Sequence, residues 1–280
     1  MSGSKFLMCA PDHFRVAYEI NPWMSLRRQP DVALAQKQWK CFYELLTQKL
    51  KVTVELIPPV PLLPDMVFTA NAGMARRKLF IPSNFRHPER AKEEVPFTQW
   101  FRARGYEIQM IEKPYYFEGE GDALSMGDEL YTGYHFRSDV QSHDLVSGIL
   151  KQSYFALELK DKRFYHLDTC FAPVSPNTAL VFLDAFATYA QLVILENIAD
   201  PIRVSEEEAL RFACNAVVVE KDIVIPSGCP KVTAELEQRG FTVHATDFSE
   251  FMKAGGAAKC LVLSLDQPGT MAAEKPKLRN

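Results

Sequence analysis

The residues best suited to chemistry lie far apart in the chain but at comparable places in its pattern. Cys260 follows Gly255-Gly256-Ala257-Ala258-Lys259, where small side chains permit unusual backbone geometry and close approach of a ligand. His166-Leu167-Asp168 has a period of two, which on a strand puts both polar side chains on one face. The turn Phe117-Glu118-Gly119-Glu120-Gly121-Asp122 holds three carboxylates, and Asn71 closes Val67-Phe68-Thr69-Ala70-Asn71. Together these supply a thiol nucleophile, a proton carrier and acids able to hold a cation. Each also has a purely structural reading. A cysteine in an α/β chain serves as a small buried hydrophobe, a His and an Asp as a satisfied core pair, and an Asn as a turn or cap residue. The acidic turn reads as a solvated loop and lacks the ligand spacing of an EF-hand.

The elements that must position these residues follow a repeat. Four segments read as strand, turn, strand: 67–71 to 78–81, 121–124 to 129–132, 167–170 to 178–181, and 215–219 to 222–225. Their starts are about 45–55 residues apart, near the period of repeat architectures. A helical stretch and a further β-rich stretch follow most of them. The β-rich stretches include 52–54, 106–111, 155–159, Leu192-Val193-Ile194 and 241–243. The chain end at 259–263 and the first strand at 6–10 supply a fifth unit that closes a ring, with ordinary α/β alternation as the competing reading. In a closed ring the equivalent strand ends converge on the axis, bringing thiol, imidazole and carboxylate into one pocket. Asp31 caps a helix with Leu34, Ala35, Trp39, Phe42, Leu45 and Leu46 on one face. Pro88 starts a second helix that Pro96 should kink or split. Shorter helices are expected near 139–150, 205–212 and 230–239.

Composition narrows the function classes. With 280 residues, 47% of them hydrophobic, the chain can bury a sizeable core. A formal net charge of −3 gives no basic footprint for nucleic acid. The six cysteines form no C-x-x-C pair and no cluster with zinc-ligand spacing, which suits free thiols in a reducing, cytoplasmic compartment. No secretory signal is read at the start, and no apolar run approaches the roughly 20 residues of a membrane span. A Rossmann dehydrogenase is disfavoured because no G-x-G-x-x-G follows a strand. The expectation is a single domain over 1–280, with a frayed polar tail at 267–280.

Taken together, the residues resemble the guanidino-group-modifying enzymes. The elements that match are Leu63-Pro64-Asp65-Met66-Val67-Phe68, the Glu118 to Asp122 turn, His166-Leu167-Asp168 and the near-terminal Cys260. The resemblance runs from Phe6 to Leu265 and implies a fivefold pseudosymmetric α/β propeller of ββαβ repeats. It also implies a Cys–His–Glu hydrolase without metal or cofactor, with Cys260, His166 and Glu118 catalytic. Asn71, Asp168, Asp65, Arg90, Arg137 and Asn21 become substrate-binding residues. Arg90 and Arg137 match positions where relatives bind the substrate carboxylate, and Asn21 lies in an N-terminal loop that closes over the substrate. The acidic turn is one residue longer than the Glu-x-Gly-Asp of some relatives, so Glu118 and Glu120 compete as the functional acid, with Glu118 favoured. Deiminases of the superfamily carry Asp where this chain has Asn71. Ala70-Asn71 looks like the dihydrolases, including the N-terminal domain of the cyanobacterial bifunctional arginine dihydrolases. The implied partner is a small guanidino substrate, arginine, with no nucleic acid and no membrane; a homo-oligomer stays open. The implied products are ornithine, CO₂ and two ammonia. Arginine deiminase or dimethylarginine dimethylaminohydrolase chemistry is the alternative, and a non-catalytic arginine-binding module the remoter one.

Overall fold

A computed structural model describes residues 3–265; the tail at 267–280, expected to fray, lies outside the described residues. Its strands are β1 (Lys5–Cys9), β2 (Thr53–Ile57), β3 (Gly73–Arg76), β4 (Leu79–Pro82), β5 (Glu107–Ile108), β6 (Ala123–Met126), β7 (Glu129–Tyr134), β8 (Tyr154–Glu158), β9 (Phe171–Pro173), β10 (Thr178–Val181), β11 (Asp200–Arg203), β12 (Val217–Val219), β13 (Asp222–Pro226), β14 (Thr242–Thr246) and β15 (Leu263–Ser264). They form five three-stranded sheets among the described residues. Four sheets repeat one plan: an antiparallel pair, a helical crossover, then a strand parallel to the second. The fifth sheet joins the two ends of the chain. β15 pairs antiparallel with β1, placing Leu263 opposite Leu7, and β1 pairs parallel with β2. That closure makes the repeats a fivefold α/β propeller, as the spacing suggested.

Burial explains the strand chemistry. The second strand of each unit is paired on both sides, and β4, β10 and β13 are almost wholly buried. Their apolar runs are those of strands covered on both faces. The third strands are more open, β2 and β14 most of all. Helices pack over the sheets. Asp31 caps Val32–Glu44 as expected, accepting from Leu34 N at 2.9 Å, and the helix buries Ala35, Trp39 and Phe42. Fully burying a side chain such as Phe42 stabilises the fold by about 1.5–3 kcal/mol. Phe101, from Glu94–Ala103, stacks on Phe80 of β4 with centroids 3.6 Å apart. Pro96 does not split this helix. It sits in the first turn, where its missing N–H has no partner to lose; the break falls instead between Pro88–Ala91 and Glu94–Ala103.

Two expectations need correction. Residues 67–71 and 167–170 were read as strands, but they form 3₁₀ turns, Thr69–Ala72 and Leu167–Thr169, just ahead of β3 and β9. They are closed by Asn71 N to Phe68 O (3.2 Å) and Cys170 N to Leu167 O (3.0 Å). Their apolar residues are buried, and burial rather than strand geometry produced the β-like composition. Leu192-Val193-Ile194 was read as β-rich but lies within the helix Thr188–Asn197, which precedes β11. No helix among the described residues is long and apolar enough to cross a membrane.

Candidate active site

The turns ahead of the first strands carry the polar residues. Thr69–Ala72 brings Asn71, Gly119–Gly121 brings Glu118 and Glu120, Leu167–Thr169 brings His166 and Asp168, and Lys259–Leu261 brings Cys260. The fourth unit supplies Asn215, two residues before β12. All of these side chains are buried. Two glycines let the second turn approach so closely. Gly119 has φ +62°, and a Cβ there would lie 2.6 Å from Gly73 O. A Cβ on Gly121 would lie 2.3 Å from Asn71 Nδ2 and 3.3 Å from His166.

A chain of buried hydrogen bonds places the imidazole. Ser138 Oγ accepts from Glu118 N (3.0 Å) and donates to Asp122 Oδ2 (2.6 Å). Asp122 Oδ1 accepts from Leu167 N at 3.1 Å, tying the second unit to the third beside His166. Glu118 Oε2 lies 2.9 Å from both His166 Nε2 and Arg137 Nη1. Burial works against the charge on Glu118, but Arg137 and the His166 hydrogen bond hold its carboxyl well below the usual range. Such a partner fixes the ring with Nε2–H toward the carboxylate and leaves Nδ1 free to accept. His166 Nδ1 lies 3.5 Å from Asn71 Nδ2.

The sulfur is placed by Asn215. Its Oδ1 accepts from Ala257 N (3.1 Å) and Cys260 N (3.2 Å), shaping the small-residue loop. Its Nδ2 donates to Cys260 Sγ at 3.1 Å and to Asp168 O at 3.0 Å. Cys260 Sγ donates to Asp168 Oδ2 at 3.3 Å. Burial, and then the Asp168 carboxylate, push the Cys260 thiol up. Burial also raises Asp168 to about 6, against the pull of Lys259. Asp168 Oδ1 and Asp65 Oδ1 are buried without a hydrogen-bond partner.

Cys260, Asn71, Asp65, Arg90, Arg137 and Asn21 line one small cavity of about 10 Å³, together with Tyr165, Phe68 and Gly256. That is room for about one water, so a larger molecule needs a wall to move. The wall from Ile20 to Met24 is a loop, held by Asn21 Nδ2 on Ala254 O and by Arg137 Nη2 on Ile20 O. The competing acids separate cleanly in space: Glu118 meets His166, whereas Glu120 pairs with Lys259 at 2.8 Å. Arg90, on a helix that reads as charged and solvated, is 3% exposed. Its two-pronged edge is turned to Glu93 (Nε 3.0 Å, Nη2 2.8 Å), with Nη1 on Asn71 Oδ1 at 2.8 Å. A two-pronged grip on a substrate carboxylate would therefore have to displace Glu93. His166 and Asp168 do not line this cavity but meet Asn71 and Cys260, which do, and they do so from a 3₁₀ turn and not from one face of a strand.

Sequence reasoning missed Asn215, Glu93 and Tyr165. Asn215 had a signal, because it occupies the fourth unit's equivalent of Asn71, Glu118, His166 and Cys260. Glu93 and Tyr165 had none beyond adjacency to Arg90 and His166. Among the described residues no group of three or more His, Cys, Asp or Glu is placed to hold a metal ion. The arrangement suits attack by a thiol on the carbon of a planar, donor-rich cation, with an imidazole at hand for proton transfer.

Comparison with known proteins gives the family. A family model described as N,N dimethylarginine dimethylhydrolase, eukaryotic, matches residues 18–266. The bifunctional arginine dihydrolase/ornithine cyclodeaminase AgrE of Nostoc sp. is 40% identical over 94% of this chain. The match covers 38% of AgrE, so this chain spans little more than a third of that relative. The N(G),N(G)-dimethylarginine dimethylaminohydrolase of Mycobacterium tuberculosis is 36% identical over 93% of this chain and 85% of its own length. The crystal structure of the N-terminal domain of ArgZ bound to product, an arginine dihydrolase from the ornithine–ammonia cycle in cyanobacteria, has a TM-score of 0.91 and 41% identity. It covers 95% of this chain and 98% of that one. With sequence and fold both matched over nearly all of its length, the chain belongs to the N,N-dimethylarginine dimethylhydrolase family of hydrolases.

Proposed function

We propose that this chain hydrolyses the guanidino group of arginine twice, giving ornithine, CO₂ and two ammonia. The observation that carries the reading is a buried thiol beside carboxylate oxygens left without donors, Asp168 Oδ1 and Asp65 Oδ1. Buried acceptors of this kind are costly unless a ligand satisfies them, and a guanidinium presents several N–H groups with a positive charge. The charge also favours the thiolate, which the free site disfavours.

In this mechanism Glu118 orients His166, and Asp168 holds the guanidinium carbon toward Cys260. The Cys260 thiol gives its proton to His166 Nδ1 as the sulfur attacks that carbon and forms a C–S bond. His166 gives a proton to a departing nitrogen, the C–N bond breaks and ammonia leaves. His166 then takes a proton from water, whose oxygen attacks the thiouronium carbon and releases the sulfur. The product of this first cycle is a neutral ureido group. Asn71 supports the second cycle because its Nδ2 donor faces His166 and its Oδ1 is held by Arg90. An amide donates to the new ureido oxygen, whereas an Asp would only accept. Attack of the sulfur on the ureido carbon expels the second ammonia, and a second water then releases the sulfur to leave the carbamate of ornithine, which breaks down to CO₂ and ornithine. Arg137 and the remaining Nη1 donor of Arg90 hold the substrate carboxylate, and Asn21 belongs to the loop that opens for entry.

The 41% identical ArgZ domain, described as an arginine dihydrolase, supports two steps. The family description and the M. tuberculosis relative favour a second reading: one-step hydrolysis of dimethylarginine to citrulline. Product identification by mass spectrometry, with ammonia counted per substrate consumed, separates them using arginine and dimethylarginine in parallel. Arginine should give ornithine and two ammonia; stoichiometric citrulline without ornithine overturns the two-step reading. Asn71→Asp should move the product toward citrulline.

A further inference from the structure

Glu93 is fully buried, lies outside the lining of the cavity, and faces Arg90 with both oxygens. Arg90 spends Nε and Nη2 on this carboxylate, and Nη2 also donates to Asp65 O at 3.2 Å. Nη1 is thereby aimed at Asn71 Oδ1, 2.8 Å away. A guanidinium only donates, so it accepts no orientation of the Asn71 amide except oxygen toward Arg90. The amide nitrogen is left to face His166 Nδ1 at 3.5 Å, while Asn71 itself lines the cavity.

We propose that Glu93 is a positioning residue that, through Arg90, fixes which end of the Asn71 amide faces His166 and so commits the bound intermediate to the second hydrolysis. The inference rests on the two-step reading. A carboxylate accepts from both Nε and Nη2 in parallel. A glutamine in its place offers one acceptor and one donor, and the donor end repels Arg90. The guanidinium then swings, Nη1 leaves Oδ1, and the amide is free to turn its oxygen inward. The ureido oxygen of the intermediate would meet an acceptor, and citrulline would leave before the second attack.

The test compares wild type with Glu93→Gln and Glu93→Asp, using arginine and scoring citrulline against ornithine per arginine consumed. This ratio does not depend on how much of a variant folds, and a merely structural role would lower both products together. Loss of one orienting hydrogen bond should raise the citrulline share of Glu93→Gln about tenfold, with Glu93→Asp between it and wild type. An unchanged ratio in both variants, beside a wild type that makes ornithine, overturns the role of Glu93 alone. A wild type that makes only citrulline overturns the two-step reading and this inference with it.

Discussion

Cys260 and Cys214 are both fully buried thiols close ahead of the first strand of a unit, and they line different cavities. The Cys260 cavity is about 10 Å³ and walled by Asp65, Asn71, Arg90 and Arg137. The Cys214 cavity is about 450 Å³ and walled largely by apolar side chains such as Leu124, Phe171, Pro176 and Val217. Burial pushes both thiols up. Only Cys260 has polar side chains against its sulfur, Asn215 at 3.1 Å and Asp168 at 3.3 Å. The larger space therefore holds the sulfur with fewer polar partners. What sets apart the thiol proposed to react is its buried charged and amide neighbours, not volume. The two regions meet along the chain: Lys259, which pairs with Glu120, lines the large cavity, and its neighbour Cys260 lines the small one.

Exchanging sulfur for oxygen in each cavity breaks the comparison most directly. Cys260→Ser should cost at least about 10³-fold in turnover, because a serine hydroxyl is a far weaker acid than a thiol and a bound guanidinium leaves it un-ionised. Cys214→Ser should keep turnover within about twofold and lose roughly 1–3 kcal/mol of stability, since it buries a hydroxyl among apolar groups. Steady-state kinetics and urea unfolding read the two effects.

A smaller change sharpens the small cavity alone. In Gly121→Ala the added methyl would lie 2.3 Å from Asn71 Nδ2, so amide and imidazole must shift. A displacement near 1 Å costs about 10²-fold in rate. Activity should fall by that order while the unfolding midpoint moves by little.

The pH profile gives the mildest effect. Burial raises Asp168 to about 6 from the 3.8 of an unperturbed Asp carboxyl. Its neutral form is therefore favoured on folding. That contribution to stability is fully present below about pH 3.8 and lost as pH rises through about 6. Binding needs the charged form, so kcat/KM should fall as pH drops below about 6. Bound guanidinium favours the carboxylate, so the acid limb of kcat should lie at lower pH. Coincident limbs would argue against Asp168 as the group that meets the cation.

Much of this was legible in the sequence, and the exceptions have physical causes. The ring was readable because each unit repeats a strand pair at similar spacing and because Lys5–Cys9 and Leu263–Ser264 can pair only if the chain closes. The turns bearing Asn71 and His166 looked like strands because buried 3₁₀ turns and buried strands draw on the same apolar residues. The helix Thr188–Asn197 was obscured by Leu192, Val193 and Ile194, whose side chains face both inward and outward. Cys260, His166 and Glu118 stand where their units open and Asn71 where a first strand was expected to end, and the same comparison of units leads to Asn215, which opens the fourth. Arg90 looked solvated because nothing local signals that Glu93, three residues on, turns inward with it.

The proposed hydrolysis requires the Cys260 sulfur to bond the guanidinium carbon. A single-turnover experiment tests that bond: enzyme in excess over arginine labelled with ¹³C at the guanidino carbon, quenched in acid at successive times, then digested and weighed by mass spectrometry. The peptide containing Cys260 should carry labelled carbon that rises and then decays as product appears. Full product formation with that peptide unlabelled at every time, or with the label on another cysteine, would contradict it.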